Sequence, residues 1–378
     1  MTNRKLADVA NQPVGQSDRP IRQAIATAAL LVLACTGTHA AAPAYSCKAL
    51  SDSTTQWSEV QAFATAINGR NEVLGSGLGE LDGAQSFGVM RWDKTRVGHR
   101  LQETVKPGDV NSSHPGGLND AGLIVGTLFD KDGKSHATQW VDGVPSYLGE
   151  LPRARHSSAE AVNSKGKVVG RSTVELPDGT VRIDATLWSH GVATDLGGLG
   201  EFAESAANDI NDAGVVVGIS DQYAVRWKDK KATRLKHLTG MNHSVAEAVN
   251  AGGTVVGWSG TARKPYAAVA WIGAEAQALQ NLPGRVDHFA RDVNAAGVVV
   301  GHAANAANEY TPIVWPSVSA APIDLNELVT GPRCVDAFGE THRLNWVIGI
   351  NDKGAIVAES YDHLGGGNRS FVFLLIPK

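Results

Sequence analysis

The chain has 378 residues, of which 43% are hydrophobic and 42 are glycine, and its formal net charge is −4. This length fits two ordinary domains or one large repeat array, and the glycine content with the Val-Val runs favours many short strands over long amphipathic helices. General nucleic-acid binding is disfavoured, because the sequence has no basic excess to neutralise phosphates and release counterions.

The first forty residues have the pattern of an export signal. Basic residues precede an apolar run at 24–34, which is too short to span a bilayer as a helix. Residues 38–40 (Thr-His-Ala) suit a signal peptidase, so we expect cleavage near Ala40, a secreted or periplasmic location and one mature domain of residues 41–378. Residues 32–35 (Val-Leu-Ala-Cys) also resemble a lipoprotein processing box. The alternative is therefore a membrane anchor at Cys35.

The expected mature part, residues 41–378, has 30 Lys and Arg against 36 Asp and Glu, a net charge of −6. It keeps two cysteines, Cys47 and Cys334. In an oxidising compartment an even count permits one disulfide. The alternative is two separate buried thiols.

A repeat of about 45 residues runs through the mature chain and decides its architecture. Its core is Ile or Val, then Asn-x-x-Gly-x-Val-Val-Gly, loosely kept, with a Trp about twenty residues later. The seven motif asparagines are Asn68, Asn119, Asn163, Asn211, Asn250, Asn294 and Asn351. The tryptophans are Trp92, Trp140, Trp188, Trp227, Trp271 and Trp315, with Phe371 or Phe373 in the last copy.

Each repeat is typical of four short strands. In residues 211–214 (Asn-Asp-Ala-Gly) the Asn can cap a type I turn and the Gly can take the positive φ of a hairpin bulge. The first copy has Asn71 in the glycine position, and Asn tolerates positive φ better than most residues. The apolar run after the turn predicts a second strand, the Trp ends a third, and Leu-Gly-x-Leu, as at residues 148–151, marks a fourth.

Such units cannot bury their faces alone, so neighbours must stack, and radial closure protects the strand edges. We therefore predict an all-β fold, a seven-bladed β-propeller of four-stranded antiparallel blades. The last repeat ends at its third strand, so a strand near residues 45–50 is expected to supply the fourth and close the ring. We expect a monomer.

The Leu-Gly-x-Leu, Ser-x-Ala-x-x-x-Asn, Gly-x-Val-Val-Gly and Ala-x-x-Trp elements resemble the HAF-type extracellular repeats of exported bacterial proteins. The resemblance covers residues 60–376. The His-Ala-Phe of the family name is present in register with the Trp only as His136-Ala137, and Ala358 replaces a motif glycine in the last copy. The resemblance implies export and a propeller-like fold, but no particular activity.

We expect ligand-binding or catalytic residues where the chain enters the first strand of each blade, because these strands line the central channel. The residues seven places before each motif Asn are Gln61, Ser112, His156, Glu204, His243, Asp287 and Leu344. His114, His288 and His342 lie within two residues of these positions. Convergence at one channel mouth would let His156, Glu204, His243 and Asp287, with His288 beside them, bind a polar ligand or a metal. Polar, solvated loops explain the same residues without a site.

Other motifs are weaker candidates for a metal, phosphate or catalytic site. Residues 130–133 (Asp-Lys-Asp-Gly) begin like a calcium loop without its distal Glu, residues 75–79 are glycine-rich without a following helix, and a His-Glu-x-x-His motif is missing. We therefore expect no cofactor. The Trp series predicts packing between blades, although one exposed Trp could stack on a sugar.

Two classes of function follow from this pattern. The first is a non-catalytic binding or surface-interaction module that presents a propeller face to a glycan, a peptide or an envelope protein. The second is a propeller hydrolase or lyase that acts on an extracellular polymer through His and carboxylate groups at the channel mouth. The sequence does not decide whether the chain is an enzyme.

Overall fold

The fold is described from a computed structural model of the chain, which describes residues 43–52, 62–81, 84–102, 105, 113–201, 203–261, 265–330, 334–336, 339–362 and 369–378. The expected signal at 1–40 with Cys35, and the candidate positions Gln61 and Ser112, lie outside these residues. Within these ranges the structure contains no helix with both the length and the apolar character needed to cross a lipid bilayer.

Seven antiparallel sheets, here called blades 1 to 7 in chain order, contain most of the strands. Ahead of blade 1 lie β1 (Tyr45–Ala49) and β2 (Ser51–Asp52). Blades 1 to 3 consist of β3 (Ala62–Ile67), β4 (Val73–Leu81), β5 (Ala84–Trp92) and β6 (Val97–Arg100); β7 (Ser113–Leu118), β8 (Ile124–Phe129), β9 (Ser135–Val141) and β10 (Val144–Tyr147); and β11 (Ala154–Val162), β12 (Val168–Glu175), β13 (Val181–Ser189) and β14 (Val192–Asp195).

Blades 4 to 6 consist of β15 (Ser205–Ile210), β16 (Val216–Ser220), β17 (Tyr223–Lys228) and β18 (Lys231–Arg234); β19 (His243–Val249), β20 (Val255–Gly260), β21 (Ala267–Ile272) and β22 (Glu275–Ala278); and β23 (Asp287–Val293), β24 (Val299–Ala304), β25 (Tyr310–Trp315) and β26 (Ile323–Asp324). The helix α1 (Leu325–Leu328) and the hairpin β27 (Cys334–Val335) and β28 (Thr341–His342) follow. Blade 7 contains β29 (Trp346–Ile350), β30 (Ile356–Asp362) and β31 (Arg369–Pro377).

The two ends of the chain share blade 7. Its strand order is β1, β31, β30, β29, so the N-terminal β1 is its outermost strand, and Cys47 lies opposite Leu375 in the antiparallel register. The first strands of successive blades contact one another all the way round, including β29 with β3. The predicted seven-bladed ring, closed by a strand from the N-terminus, is therefore confirmed. The short β2 adds a parallel fifth strand to the outer edge of blade 1.

Each motif Asn holds a hairpin and also joins two blades. In blade 4 the Asn211 Oδ1 accepts a hydrogen bond from Val215 N at 3.0 Å, and Gly214 has a φ of 73°. Asn71, in the equivalent position of blade 1, has a φ of 63°. The side-chain Nδ2 of every motif Asn donates to the backbone carbonyl of the next motif Asn, at 2.9–3.3 Å. These seven bonds form a closed ring around the channel.

The motif glycine of the second strand is fixed by close approach of the first strand. A β-bulge interrupts the pairing of the first two strands in every blade, for example between Ala246 and Ala248. At this point the Val245 carbonyl oxygen lies against Gly257, and an added Cβ would overlap it. The same relation recurs in blades 1, 2, 3, 4 and 6, which explains the Gly that six of the seven repeats have at this position.

The six tryptophans of the repeat pack between blades, as the sequence predicts. Their exposed fractions are 0–2%. Five of them donate the indole Nε1–H to a backbone carbonyl near the outer strand of the preceding blade at 2.6–2.8 Å, as Trp227 does to Gly197. Burying a large apolar ring while satisfying its one donor stabilises each contact between blades.

An insertion between blades 6 and 7 carries α1 and the β27 and β28 hairpin. Cys334 of β27 forms a disulfide with Cys47 of β1, and Cys334 itself is only 2% exposed. The same insertion accounts for the long spacing of 57 residues between Asn294 and Asn351. The closing strand is thus tied covalently to the segment that precedes the last blade.

Candidate functional site

The candidate residues from the sequence stand at the start of the first strands. Glu204 directly precedes β15, His243 and Asp287 begin β19 and β23, and His156 is the third residue of β11. Because these strands occupy the same place in each blade, all four residues belong to the face of the ring opposite the asparagine turns. We call this face the mouth.

Asp287 and His288 take part in the framework. Asp287 is 1% exposed and its Oδ1 accepts from Tyr266 N at 3.0 Å. His288 is fully buried, and its Nε2 accepts from Leu282 N at 2.9 Å. Burial lowers the pKa of His288, so the ring stays neutral. A ligand on the mouth surface would not reach this imidazole.

His288 also explains a local departure from the repeat. In blades 4 and 5 the hydroxyls of Ser220 and Ser259 accept from the backbone N–H of Leu199 and Leu238. Blade 6 has Ala303 at the serine position, and His288 provides the acceptor for the equivalent Leu282 instead. The sequence marks His288 as a candidate ligand because it lies beside Asp287 at the start of a first strand, but in the structure its imidazole replaces the serine hydroxyl as acceptor for a backbone N–H.

Glu204 and His156 remain accessible, and Glu204 does not line the pocket to which His156 belongs. Glu204 is exposed, and its backbone N donates to Asp221 Oδ1 at 3.1 Å. His156 is exposed and lines a pocket between blades 2 and 3 together with His114. Across the residues described, no group of three or more His, Cys, Asp or Glu side chains is arranged to hold a metal ion.

His243 belongs to a continuous aromatic surface at the mouth of blades 5 to 7, which we call the aromatic arc. Its ring stacks on Trp258, with centroids 5.2 Å apart and planes 25° from parallel. Trp258 meets Phe289 edge to face at 5.9 Å, and Phe289 stacks on His302 at 5.0 Å. The members are His243, Trp258, Tyr266, Phe289, His302, Tyr310 and Trp346.

The arc ends at Trp346 of blade 7. His302 stacks on Trp346 with centroids 3.7 Å apart, and Tyr310, which is 40% exposed, meets Trp346 edge to face at 4.8 Å. Trp258 and Trp346 are half-buried, unlike the six tryptophans of the repeat. Trp258 and Trp346 are therefore the two tryptophans among the described residues whose rings a ligand can reach, beside the more exposed Tyr310.

A partly exposed polar bridge joins the two tryptophans of the arc at the channel. The Trp258 Nε1–H donates to Glu247 Oε1 at 3.0 Å, and Arg291 forms an ion pair with the same oxygen at 3.3 Å. The Arg291 guanidinium lies 5.6 Å from the centre of the Trp346 ring. Glu247 and Arg291 also line the central channel. The arc therefore places charged hydrogen-bonding groups directly beside flat apolar faces.

Burial keeps the histidines of the arc neutral. His302 is 3% exposed, and desolvation, with a smaller contribution from the charge of Arg291, lowers its pKa to about 3. Burial also lowers the pKa of His243. Above mildly acidic pH both rings act as uncharged aromatic surfaces.

Two carboxyl groups in the channel lining have pKa values that burial raises, whereas burial lowers those of the histidines. Asp209 and Asp292 occupy equivalent places in blades 4 and 6, and each accepts from its own following N–H and from a neighbouring blade, Val249 N and Ile350 N respectively, at 2.7–2.8 Å. Desolvation outweighs these donors and raises the pKa of Asp209 to about 6 and that of Asp292 to about 7. Through these hydrogen bonds, each carboxyl group links the first strands of two neighbouring blades.

Sequence reasoning named His243 but missed the rest of the arc, because its other members are not repeated from blade to blade. Trp258 follows a motif Gly, at a position where other blades have Arg171, Ile219 or Glu359. Phe289 and Trp346 lie five residues before a motif Asn, where the corresponding residue also varies. The sequence did contain one signal of the arc: among the described residues, Trp258 and Trp346 are tryptophans that do not belong to the regular series.

No family model and no curated protein matches the chain. Several solved structures match the chain in fold. The β-propeller domain of the trilobed protease from Pyrococcus furiosus is 10% identical, with a TM-score of 0.53 over 84% of this chain and 93% of that one. The acylaminoacyl peptidase from Pyrococcus horikoshii is 12% identical, with a TM-score of 0.51 over 83% of this chain and 51% of its own length. This chain thus spans about half of that peptidase. At such identities the likeness shows the fold alone, and the chain is a seven-bladed β-propeller.

Proposed function

We propose that the chain is an exported binding module that holds carbohydrate chains on the aromatic arc. The observation that carries this proposal is the pair of half-exposed indoles, Trp258 and Trp346, joined by the Glu247 and Arg291 ion pair. The resemblance to HAF-type repeats and the signal-like first forty residues support export.

The chemistry of a sugar ring suits this arrangement. A pyranose has an apolar face of C–H groups, which packs on an aromatic ring, and a rim of hydroxyls, which need donors and acceptors at the edge of that ring. Glu247 offers an acceptor and Arg291 offers donors beside the indoles. Rigid aromatic anchors also lose little conformational entropy on binding.

A peptide partner would use the same surface differently. An extended peptide gains affinity from main-chain pairing at a free strand edge. Six of the seven members of the arc lie on first, second or third strands, whose backbones are already paired within their blades, and Tyr266 directly precedes β21. The arc therefore favours a ligand recognised by its ring faces.

The test is affinity electrophoresis and calorimetry of the full chain with soluble polysaccharides, three neutral and one acidic: a β-glucan, a xylan, a galactomannan and a polygalacturonate. Trp258→Ala and Trp346→Ala should each weaken binding about tenfold or more, as expected for a central aromatic anchor. Trp258→Phe and Trp346→Phe should recover most of the affinity, because a ring remains.

Ile272→Ala is the matched control, since Ile272 is a 62% exposed apolar residue at the far end of β21. It should leave binding unchanged. Circular dichroism and thermal unfolding exclude loss of fold as the cause of weaker binding. Equal binding by the wild type and both Ala variants, or no binding to any polysaccharide, would contradict the proposal.

A further inference from the structure

The mouth has a second concave surface, a pocket of about 410 Å³ between blades 2 and 3, separate from the aromatic arc. Its wall on blade 2 contains His114, which packs edge to face against Phe129 at 5.5 Å. Its wall on blade 3 contains His156, Arg171 and Glu160. A volume of this size holds one small polar molecule or one sugar unit.

The pocket occupies the same positions of the repeat as the arc. Arg171 follows the motif Gly170, as Trp258 follows Gly257. His114 lies five residues before a motif Asn, as Phe289 and Trp346 do. One side of the mouth therefore offers aromatic faces in these positions, and the other offers cationic and polar groups.

His156 is oriented as a donor. The backbone N–H of Ser135 donates to His156 Nδ1 at 3.2 Å, so Nδ1 is the unprotonated nitrogen of the neutral ring. The proton then resides on Nε2, which is left to donate to an acceptor in the pocket. This assignment follows from the hydrogen bond at Nδ1.

Arg171 has unused donor capacity. Its guanidinium lies 3.7 Å from Glu160 Oε1, and the same oxygen accepts from Ser158 Oγ at 3.0 Å. The Arg171 side chain is 54% exposed. A guanidinium has five donors in a planar fork that matches a carboxylate, and one long ion pair uses little of that capacity. Glu160 is then available to accept from a hydroxyl.

We infer that this pocket binds the carboxylate of an acidic sugar unit, with Arg171 and His156 Nε2 as donors to the carboxylate and Glu160 as acceptor for a neighbouring hydroxyl. The inference rests on the proposed function and narrows it to acidic glycans that cross the mouth. A carboxylate suits one guanidinium beside one acceptor, because a phosphate monoester would face Glu160 with a second negative charge.

The test compares one oligosaccharide in two forms, oligogalacturonate and its methyl ester, by calorimetry with the full chain. The wild type should bind the acid about tenfold more tightly than the ester. Arg171→Gln should remove this preference by weakening acid binding, with little effect on the ester. Arg155→Gln is the matched control, because Arg155 on β11 is also 54% exposed and pairs with Glu175 instead of lining the pocket.

The outcomes separate the inference from the proposed function. Trp346→Ala should weaken both forms equally. If Trp346→Ala has no effect while Arg171→Gln abolishes the preference, the pocket is correct and the arc is wrong. An equal affinity for acid and ester, a preference that survives Arg171→Gln, or a preference that Arg155→Gln removes to the same extent overturns the inference. Binding of free glutamate in place of galacturonate overturns it as well.

Discussion

Asn351 donates its side-chain Nδ2–H to the backbone carbonyl of Asn68 at 2.9 Å, across 283 residues of sequence. This bond joins the last repeat to the first and completes the ring of seven identical contacts. The Asn351 Oδ1 also accepts from Ala355 N at 3.0 Å, so one side chain holds both its own hairpin and the junction between blades.

We expect Asn351→Ala to lower the free energy of unfolding by about 2–4 kcal/mol, because it leaves the buried Ala355 N–H without its acceptor and removes the side-chain hydrogen bond from blade 7 to Asn68 of blade 1. Asn305→Ala is the control. Asn305 Oδ1 accepts from Ala307 and Glu309 N in an exposed turn without contacting another blade, so a loss of about 1 kcal/mol is expected. Urea unfolding checks both values. Equal losses would show that the contact between blades adds nothing.

The disulfide between Cys47 and Cys334 should stabilise the closing strand. It links residues 287 apart, and a covalent link across a long segment restricts the unfolded chain, by about 2–5 kcal/mol for typical disulfides. We expect a reductant to lower the melting temperature of the wild type. The double variant Cys47→Ala/Cys334→Ala should melt at the reduced value and ignore reductant. A wild type whose melting is unaffected by full reduction would contradict this role.

The motif glycine can be tested within one blade. Gly257→Ala places a Cβ against the Val245 carbonyl oxygen, and we expect a loss of about 2–3 kcal/mol or more from the forced backbone shift. Gly252→Ala is the matched control, because Gly252 lies in the turn at a position where other blades have Ala213 or Ala121. It should be neutral or slightly stabilising. Thermal unfolding compares the two, and similar melting temperatures would argue against the bulge as the cause.

Glu359 should make stability depend on pH. It is 1% exposed, its Oε1 accepts from Ala64 N at 2.6 Å and its Oε2 from Tyr361 OH at 2.7 Å. Desolvation outweighs these bonds and raises its pKa to about 7 from an ordinary value of 4.5. The folded state therefore binds this proton more tightly than the unfolded state, and the free energy of unfolding falls as pH rises from about 5 through about 7.

The variant Glu359→Gln keeps an acceptor for Ala64 and does not titrate. We expect it to match the wild type near pH 4.5 and to lose less stability by pH 8. Asp209 and Asp292 have pKa values raised in the same direction, so part of the slope should remain. Chemical unfolding at several pH values measures this slope. An unchanged slope in the variant would mean that Glu359 is already ionised in the folded protein at low pH.

The ring was predictable because its determinants are local and repeated. The turn residues seen at 211–214 and the glycine seen at Gly257 recur in most copies, so repetition strengthens each weak local signal. The missing fourth strand of the last repeat indicated that a strand from the N-terminus completes the blade. The pairing of Cys47 with Cys334 could not be concluded from the sequence, because an even number of cysteines permits a disulfide without requiring one.

The candidate site was harder to predict because it depends on contacts between blades. The stacking of His302 on Trp346 joins residues from different repeats, and neither position has a repeated identity. Counting back from the motif Asn found His156 and His243, which lie on the mouth, but also Asp287, whose carboxylate serves the framework. Position in a repeat indicates the face on which a residue lies, and neighbouring side chains determine what it does there.

The most direct test of carbohydrate binding at the arc is an NMR titration that follows the indole Nε1–H signals of the tryptophans. Trp258→Phe and Trp346→Phe assign the two arc signals. On addition of a bound oligosaccharide, we expect these two signals to shift while those of the six buried repeat tryptophans stay in place. Saturating oligosaccharide that leaves both arc signals unmoved, or that shifts only the buried ones, would contradict the account.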